Sequence, residues 1–153
     1  WSIDESQVSN PASYLTELIN TSRTHAGLPK LKRVSALDEV AIKHSIDMSE
    51  NDFVGHYSTR SGMIRERLDR IDYARHVYGE NVALNSSIAD AHAGLMSSLG
   101  HRRNLLATDY SELGIGLIRG KNGWYITQIF SDPGPKTAHR PPRASGSIAR
   151  VLP

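Results

Sequence analysis

The chain has 153 residues, of which 39% are hydrophobic, a size and composition that suit one globular domain with a single core. No apolar run approaches the roughly 18 residues that a membrane helix needs, and the lack of cysteine excludes disulfides and thiolate metal sites. The formal charge of +2 is unevenly spread. Lys136, Arg140, Arg143 and Arg150 follow Pro133 without an acid, and removing these four from the 18 basic residues leaves 14 against 16 acidic ones, so no basic nucleic-acid face is expected on the body.

Trp1–Glu5 lacks the basic-then-apolar pattern of a signal peptide, so one is expected to be absent or already removed. Asn10-Pro11 reads as a cap followed by proline at the first helical position. Leu15, Leu18 and Ile19 then form one apolar stripe, which ends at Gly27. Residues 28–34 read as extended. Ser35 is expected to cap a second helix with Asp38 and Glu39 in its first turn and a stripe of Leu37, Val40, Ala41, His44 and Met48. His44 on that apolar face reads as a core histidine rather than a ligand. A loop follows, with Phe53 as an apolar anchor and His56 directly after Gly55.

Residues 62–71 are predicted to form a third helix with Ile64, Leu68 and Ile71 inward; its charged residues, Arg67 among them, read as a solvated face. Ser87 with Asp90 resembles a capping box for a fourth helix. Its stripe is Ile88, Ala91, Leu95 and Leu99, and Gly100 is expected to stop it, leaving His101 just beyond the helix end. Leu113–Arg119 and Trp124–Phe130, joined by Gly120-Lys121-Asn122-Gly123, read as a β-hairpin with a four-residue loop. Gly114 and Gly116 share one face of their strand, which predicts a very close packing partner there. The expected organisation is a lead at 1–11, a domain at 12–132 and a basic tail rich in Pro, Gly and Ser at 133–153.

Tyr78-Gly79-Glu80-Asn81-Val82-Ala83 sets a carboxylate among small and apolar residues, midway between Gly55-His56 and Gly100-His101. A buried carboxylate must be hydrogen-bonded, paired or protonated, and two imidazoles are plausible partners. A polar cleft built from His56, Glu80 and His101 follows as the expectation.

One ordered series of residues runs from about Ala12 to Phe130. It comprises Asn20 and Arg23 with Gly27-Leu28-Pro29 and Leu31, His44 with Asp47-Met48, Phe53 with His56, Gly79-Glu80-Asn81, Gly100-His101-Arg102 with Asn104-Leu105, and Gly114 with Gly116. It closely resembles the CAP superfamily, also called SCP (cysteine-rich secretory, antigen 5 and pathogenesis-related proteins), and within it the cysteine-free bacterial branch.

The resemblance implies an α+β fold, an α-β-α sandwich with a small antiparallel sheet between helices. It also implies export to a secreted or cell-envelope location and a cleft lined by a His-Glu-Glu-His tetrad. His56, Glu80 and His101 carry over; the remaining glutamate falls near Ser98, and the tryptophan usual on that helix is replaced by Leu95. Members of the superfamily bind zinc or other divalent ions in this cleft, and several bind sterols or fatty acids elsewhere on the domain.

Three readings follow. The first is a cleft of His56, Glu80, Asn81, Ser98 and His101 that binds a ligand, with His56 and His101, and Glu80 beside them, as ligands for zinc or another divalent cation. The second is hydrolysis of a peptide or ester with Glu80 as general base beside His56 and His101, although no nucleophile motif supports it. The third, favoured here, is a non-enzymatic exported module, a monomer, whose partner is a lipid, a cell-envelope component or a protein. Ile64, Leu68 and Met96 are candidates for a lipid groove. Asn81 reads chiefly as a structural hydrogen-bonding residue, and Arg102 and Asn104 are expected to fix the chain around His101.

Overall fold

The computed structural model describes residues 4–135 and, at 148–151, the backbone of one strand. Asn10 caps α1 (Pro11–His25) by accepting from the Ser13 amide, and Gly27 leaves it at a φ of +75°, the left-handed conformation that glycine tolerates. After the short strand β1 (Lys32–Arg33) comes α2 (Ser35–Glu50), whose expected stripe from Leu37 to Met48 is buried throughout. The chain continues through α3 (Ile64–Arg70), β2 (Val77–Asn85), α4 (Ile88–Ser97), α5 (Leu99–Leu105), β3 (Glu112–Gly120), β4 (Gly123–Asp132) and β5 (Ile148–Val151).

The sheet runs in the order β1-β3-β4-β2-β5, with β3, β4 and β2 antiparallel and the short β1 and β5 added in parallel at the two edges. Side chains alternate across it. On one face Leu113, Ile115, Ile126 and Phe130 pack with Leu15 and Ile19 of α1, Ile88 and Leu95 of α4 and Leu105 of α5. On the other, Tyr78 and Ile129 pack with Leu37, Val40 and Ala41 of α2 and Ile64 and Leu68 of α3. Each fully buried Leu, Ile or Phe contributes about 1.5–3 kcal/mol, so the two helix layers clamp the sheet from both sides. This is the expected α-β-α sandwich.

The glycine pair on β3 explains the close approach of α2. A Cβ on Gly114 would lie 2.5 Å from the Leu37 backbone, and one on Gly116 would lie 2.3 Å from that of Ala41. The N-terminal lead is also tied in. Both carboxylate oxygens of Glu5 accept from the first free amides of α4, Ile88 and Ala89, at 2.8 Å, where a negative charge is favourable.

Several local expectations are corrected. Ser35 is the first helical residue of α2 rather than its cap; Val34 precedes the helix and gives no side-chain cap. The Asp38 carboxylate is used across the fold instead, accepting from the Ile115 amide and from Arg33. The hairpin loop is two residues, because Gly120 and Gly123 already pair. Ile71 and Leu99 are exposed, since α3 and α4 both end before reaching them. Gly100 does not stop a helix: Ser98 breaks it with an extended backbone, and Gly100 and His101 lie in the first turn of α5. Residues 148–151, within the segment read as tail, form β5 along β2; the rest of 136–153 lies outside the described residues.

Candidate functional site

Three elements bring the polar residues together. The first is the loop after α2, which Asp47 pins. Its carboxylate accepts from the hydroxyls of Ser58 and Thr59, both at 2.7 Å, from the Thr59 amide at 2.9 Å and from Asn51 at 2.6 Å. His44, on the same face of α2, donates from Nε2 to the Gly55 carbonyl at 2.7 Å, because a carbonyl only accepts. Burial lowers the His44 pKa and keeps the ring neutral. His44 is the core histidine the sequence suggested, and it and Asp47 set the position of His56 between them.

Burial alone would raise the Asp47 carboxyl, but the bonds from Ser58, Thr59 and Asn51 outweigh it and hold the pKa at about 2. A group whose folded pKa is depressed contributes stability above its unfolded value, and that stability is lost as pH falls through the folded one. Asp47 should therefore contribute about 2 kcal/mol at neutral pH, lost between about pH 4 and pH 2. Urea denaturation of the wild type and Asp47→Asn across that range checks this. The variants should differ at pH 7 and converge by pH 2, and a difference independent of pH would refute it.

The second element is β2. The Glu80 side chain is completely buried, and its Oε1 accepts from His56 Nδ1 at 2.9 Å. Arg67 of α3 grips the same carboxylate, Nη1 to Oε2 at 2.5 Å and Nη2 to Oε1 at 3.0 Å, and Nη2 also donates to the His56 carbonyl at 2.8 Å. Burial pushes the Glu80 pKa up, but the bonds from His56 and Arg67 overcome this and leave it lowered. Glu80 is thus an ionised carboxylate with both oxygens engaged.

The sequence pattern places Arg67 on a solvated face, yet it is buried and central. A signal for it did exist in the sequence. It stands three residues after Ile64 and one before Leu68, the helical spacing of the inward stripe.

The third element is the α4–α5 junction. Ser98 Oγ and His101 Nδ1 are 2.8 Å apart, so Ser98 orients the second imidazole from the position where the resemblance implies a glutamate. Burial lowers the His101 pKa, and the nearby His56 lowers it further. Asn81 donates to the His101 carbonyl at 3.1 Å and to Gln128 Oε1 at 3.2 Å, while Asn104 donates to the Glu80 carbonyl at 3.2 Å and to Asn81 Oδ1 at 3.0 Å. These amides lock α5 onto β2, as expected for Asn81 and Asn104. The exposed Arg102 makes no such bond.

His56, Glu80, Asn81, Ser98 and His101 therefore form one constellation. Its donors for a metal are two imidazoles, since Arg67 and His56 occupy the carboxylate. Among the described residues no group of three or more His, Cys, Asp or Glu side chains is arranged to hold an ion. A stable zinc centre usually takes three protein ligands or more, so these residues do not fit one.

A family model described as "Cysteine-rich secretory protein family", CAP, matches residues 16–130. Among curated proteins, "Uncharacterized membrane protein YlbC" of Bacillus subtilis is 38% identical over 119 residues, covering 76% of this chain and 33% of its own length. "Uncharacterized protein YkwD" of the same organism is 28% identical over 126 residues, covering 82% and 48%. The chain thus spans half or less of these relatives. An extracellular SCP-domain protein from Bacillus anthracis superposes with a TM-score of 0.70 at 34% identity, over 79% of this chain and 40% of that one. An outer surface protein from Borrelia burgdorferi reaches 0.74 at 20% identity, over 84% and 95%, a likeness of fold alone.

Proposed function

Because this chain belongs to the CAP, or cysteine-rich secretory protein, family, we propose that it is an exported, non-enzymatic binding module whose cleft of His56, Glu80, Asn81, Ser98 and His101 organises a recognition surface. The observation that carries this reading is the Arg67–Glu80–His56 arrangement. A general base needs a carboxylate oxygen within reach of the substrate's proton, and here both oxygens are held in a buried ion pair. That arrangement builds a rigid floor rather than a proton acceptor.

Export agrees with the extracellular SCP-domain protein at 34% identity. No helix among the described residues is long and apolar enough to cross a membrane. Lipids, cell-envelope components and proteins are the partner classes in view. A native mass-spectrometry screen against sterols and fatty acids separates the first from the others.

Zinc titration by calorimetry near neutral pH tests the reading. Two imidazoles without a third ligand should give no one-site binding tighter than about 10 μM, and the wild type should match a folded His56→Ala/His101→Ala variant. One-site binding at about 1 μM or tighter that vanished in the double variant would instead make the cleft a metal centre. Peptide or ester turnover lost in Glu80→Gln would make it an enzyme.

A further inference from the structure

α4 is held at both ends. Glu5 accepts from the amides of its first turn, and beyond its last residue the Ser98 amide donates to the Gly94 and Leu95 carbonyls while the Ser98 hydroxyl orients His101. Between the two ends lies His92. It is titratable and only 8% exposed, it faces α1, and it takes no part in the arrangement of His56, Glu80 and His101.

His92 Nε2 and the Ser22 hydroxyl of α1 are 2.8 Å apart, while Nδ1 is buried and meets no hydrogen-bond partner among the described residues. A neutral imidazole carries a single N–H, and an orphaned buried N–H is harder to accommodate than a bare acceptor. The proton therefore sits on Nε2 and goes to Ser22, which leaves Nδ1 as a lone pair. Around that neutral ring the two helices pack as apolar surfaces, with Leu15 and Ile19 of α1 in one layer with Ile88, Ala91 and Leu95 of α4.

A second proton can go only to Nδ1. The new N–H would be buried without an acceptor, on a ring whose charge no nearby group answers. Among the described residues, α4 packs on α1, α5 and β2. On α1, Glu17 and His25 are exposed, and Arg23 turns to the carbonyls of Pro29, Leu105 and Ala107. Asp90 of α4 and Arg102 and Arg103 of α5 are exposed, Glu80 of β2 is engaged by Arg67 and His56, and His101 by Ser98. Burial lowers the His92 pKa, and no charged neighbour contributes.

We propose that the Ser22–His92 contact is an acid-sensitive latch, which holds α4 on α1 while the ring is neutral and lets α4 open when the ring takes up a proton, freeing His101 from Ser98. Linkage sets the direction. The packed ring resists the proton and the opened ring accepts it at the ordinary imidazole value of about 6.5, so the latch is secure above that pH and weakens as pH falls through it. The latch adds a control to the site of the proposed binding module, rests on that reading only for its consequence, and is tested without a ligand.

Hydrogen exchange of the Leu95 and Met96 amides, followed by NMR on the full chain, measures the opening. Between pH 7 and pH 5.5 their protection factors should fall about fivefold more in the wild type than in His92→Gln, which keeps a donor for Ser22 and takes up no proton. At pH 5.5 these wild-type amides should also exchange faster than those of Ile126 and Phe130 on the central strand β4. The His101 ring should report the release as a second inflection in its own titration, present in the wild type and absent in the variant.

Equal falls in the two proteins, or equal protection of α4 and β4 at pH 5.5, would overturn the latch. A single His101 inflection in both would overturn its link to the site. Should His92→Gln not fold, the wild-type His92 ring signals decide, since a midpoint below about 6.5 supports the latch and one at or above it overturns it.

Discussion

Replacing Arg67 with methionine is expected to cost about 3–5 kcal/mol of stability at neutral pH, the largest effect of any single charged residue in the domain. The reason is what remains behind. Glu80 is fully buried, and Arg67 supplies two of its hydrogen bonds and its full counter-charge. Methionine fills much of the same volume and leaves an ionised carboxylate with only His56 to answer it.

The double variant Arg67→Met/Glu80→Gln removes the stranded charge and should recover more than half of the loss, because a buried pair adds little net stability over neutral groups of similar size. The effect should also depend on pH. Glu80 has a lowered pKa in the folded state, so its pairing stabilises above the unfolded carboxylate value and fades as pH falls toward the folded one. The single variant should therefore approach the wild type in acid. Urea denaturation of all four members of the cycle at pH 7 and pH 4 measures this. A loss below about 1 kcal/mol for Arg67→Met would mean that the pair is solvated, and the rigid-floor argument would fall with it.

Gly116→Ala is expected to cost about 3 kcal/mol or more and to loosen the loop that holds His56 from a distance. The added methyl would meet the Ala41 carbonyl carbon and oxygen at 2.3 Å, and the backbone of a helix cannot rotate aside as a side chain does. α2 must then lift off the sheet. That movement would carry His44 and Asp47 with it, and through them the loop that places His56. Gly94→Ala is the control. It lies on the exposed side of α4 with nothing within 4 Å of a new Cβ, and should stabilise by about 0.5–1 kcal/mol. Thermal melts of the two variants, with the His56 ring signals followed by NMR, distinguish the outcomes. An unshifted His56 in a folded Gly116→Ala protein would show that the loop is not coupled to α2.

Much of this architecture was legible beforehand because it is local. The Asn10 cap, the Leu37-to-Met48 stripe and the two glycines that bring α2 against β3 each follow from chemistry within a few neighbouring residues. β2 was harder to see as a strand. Both of its faces are covered, so polar and apolar residues do not alternate along it, and Gly79, Glu80 and Asn81 have little strand preference of their own.

The sequence by itself determined which polar side chains come together: His56, Glu80 and His101 stand out through their glycine neighbours and their place in an ordered motif series. Only the tertiary structure decided what state they are in. Whether a carboxylate is exposed, proton-accepting or locked in an ion pair depends on a counter-charge brought by another element, and here that charge is Arg67, 13 positions away on α3. The state of His92 was decided in the same way. Its imidazole is the same group in every histidine, and only the packing of α1 on α4 gives one nitrogen to Ser22 and buries the other without a partner among the described residues.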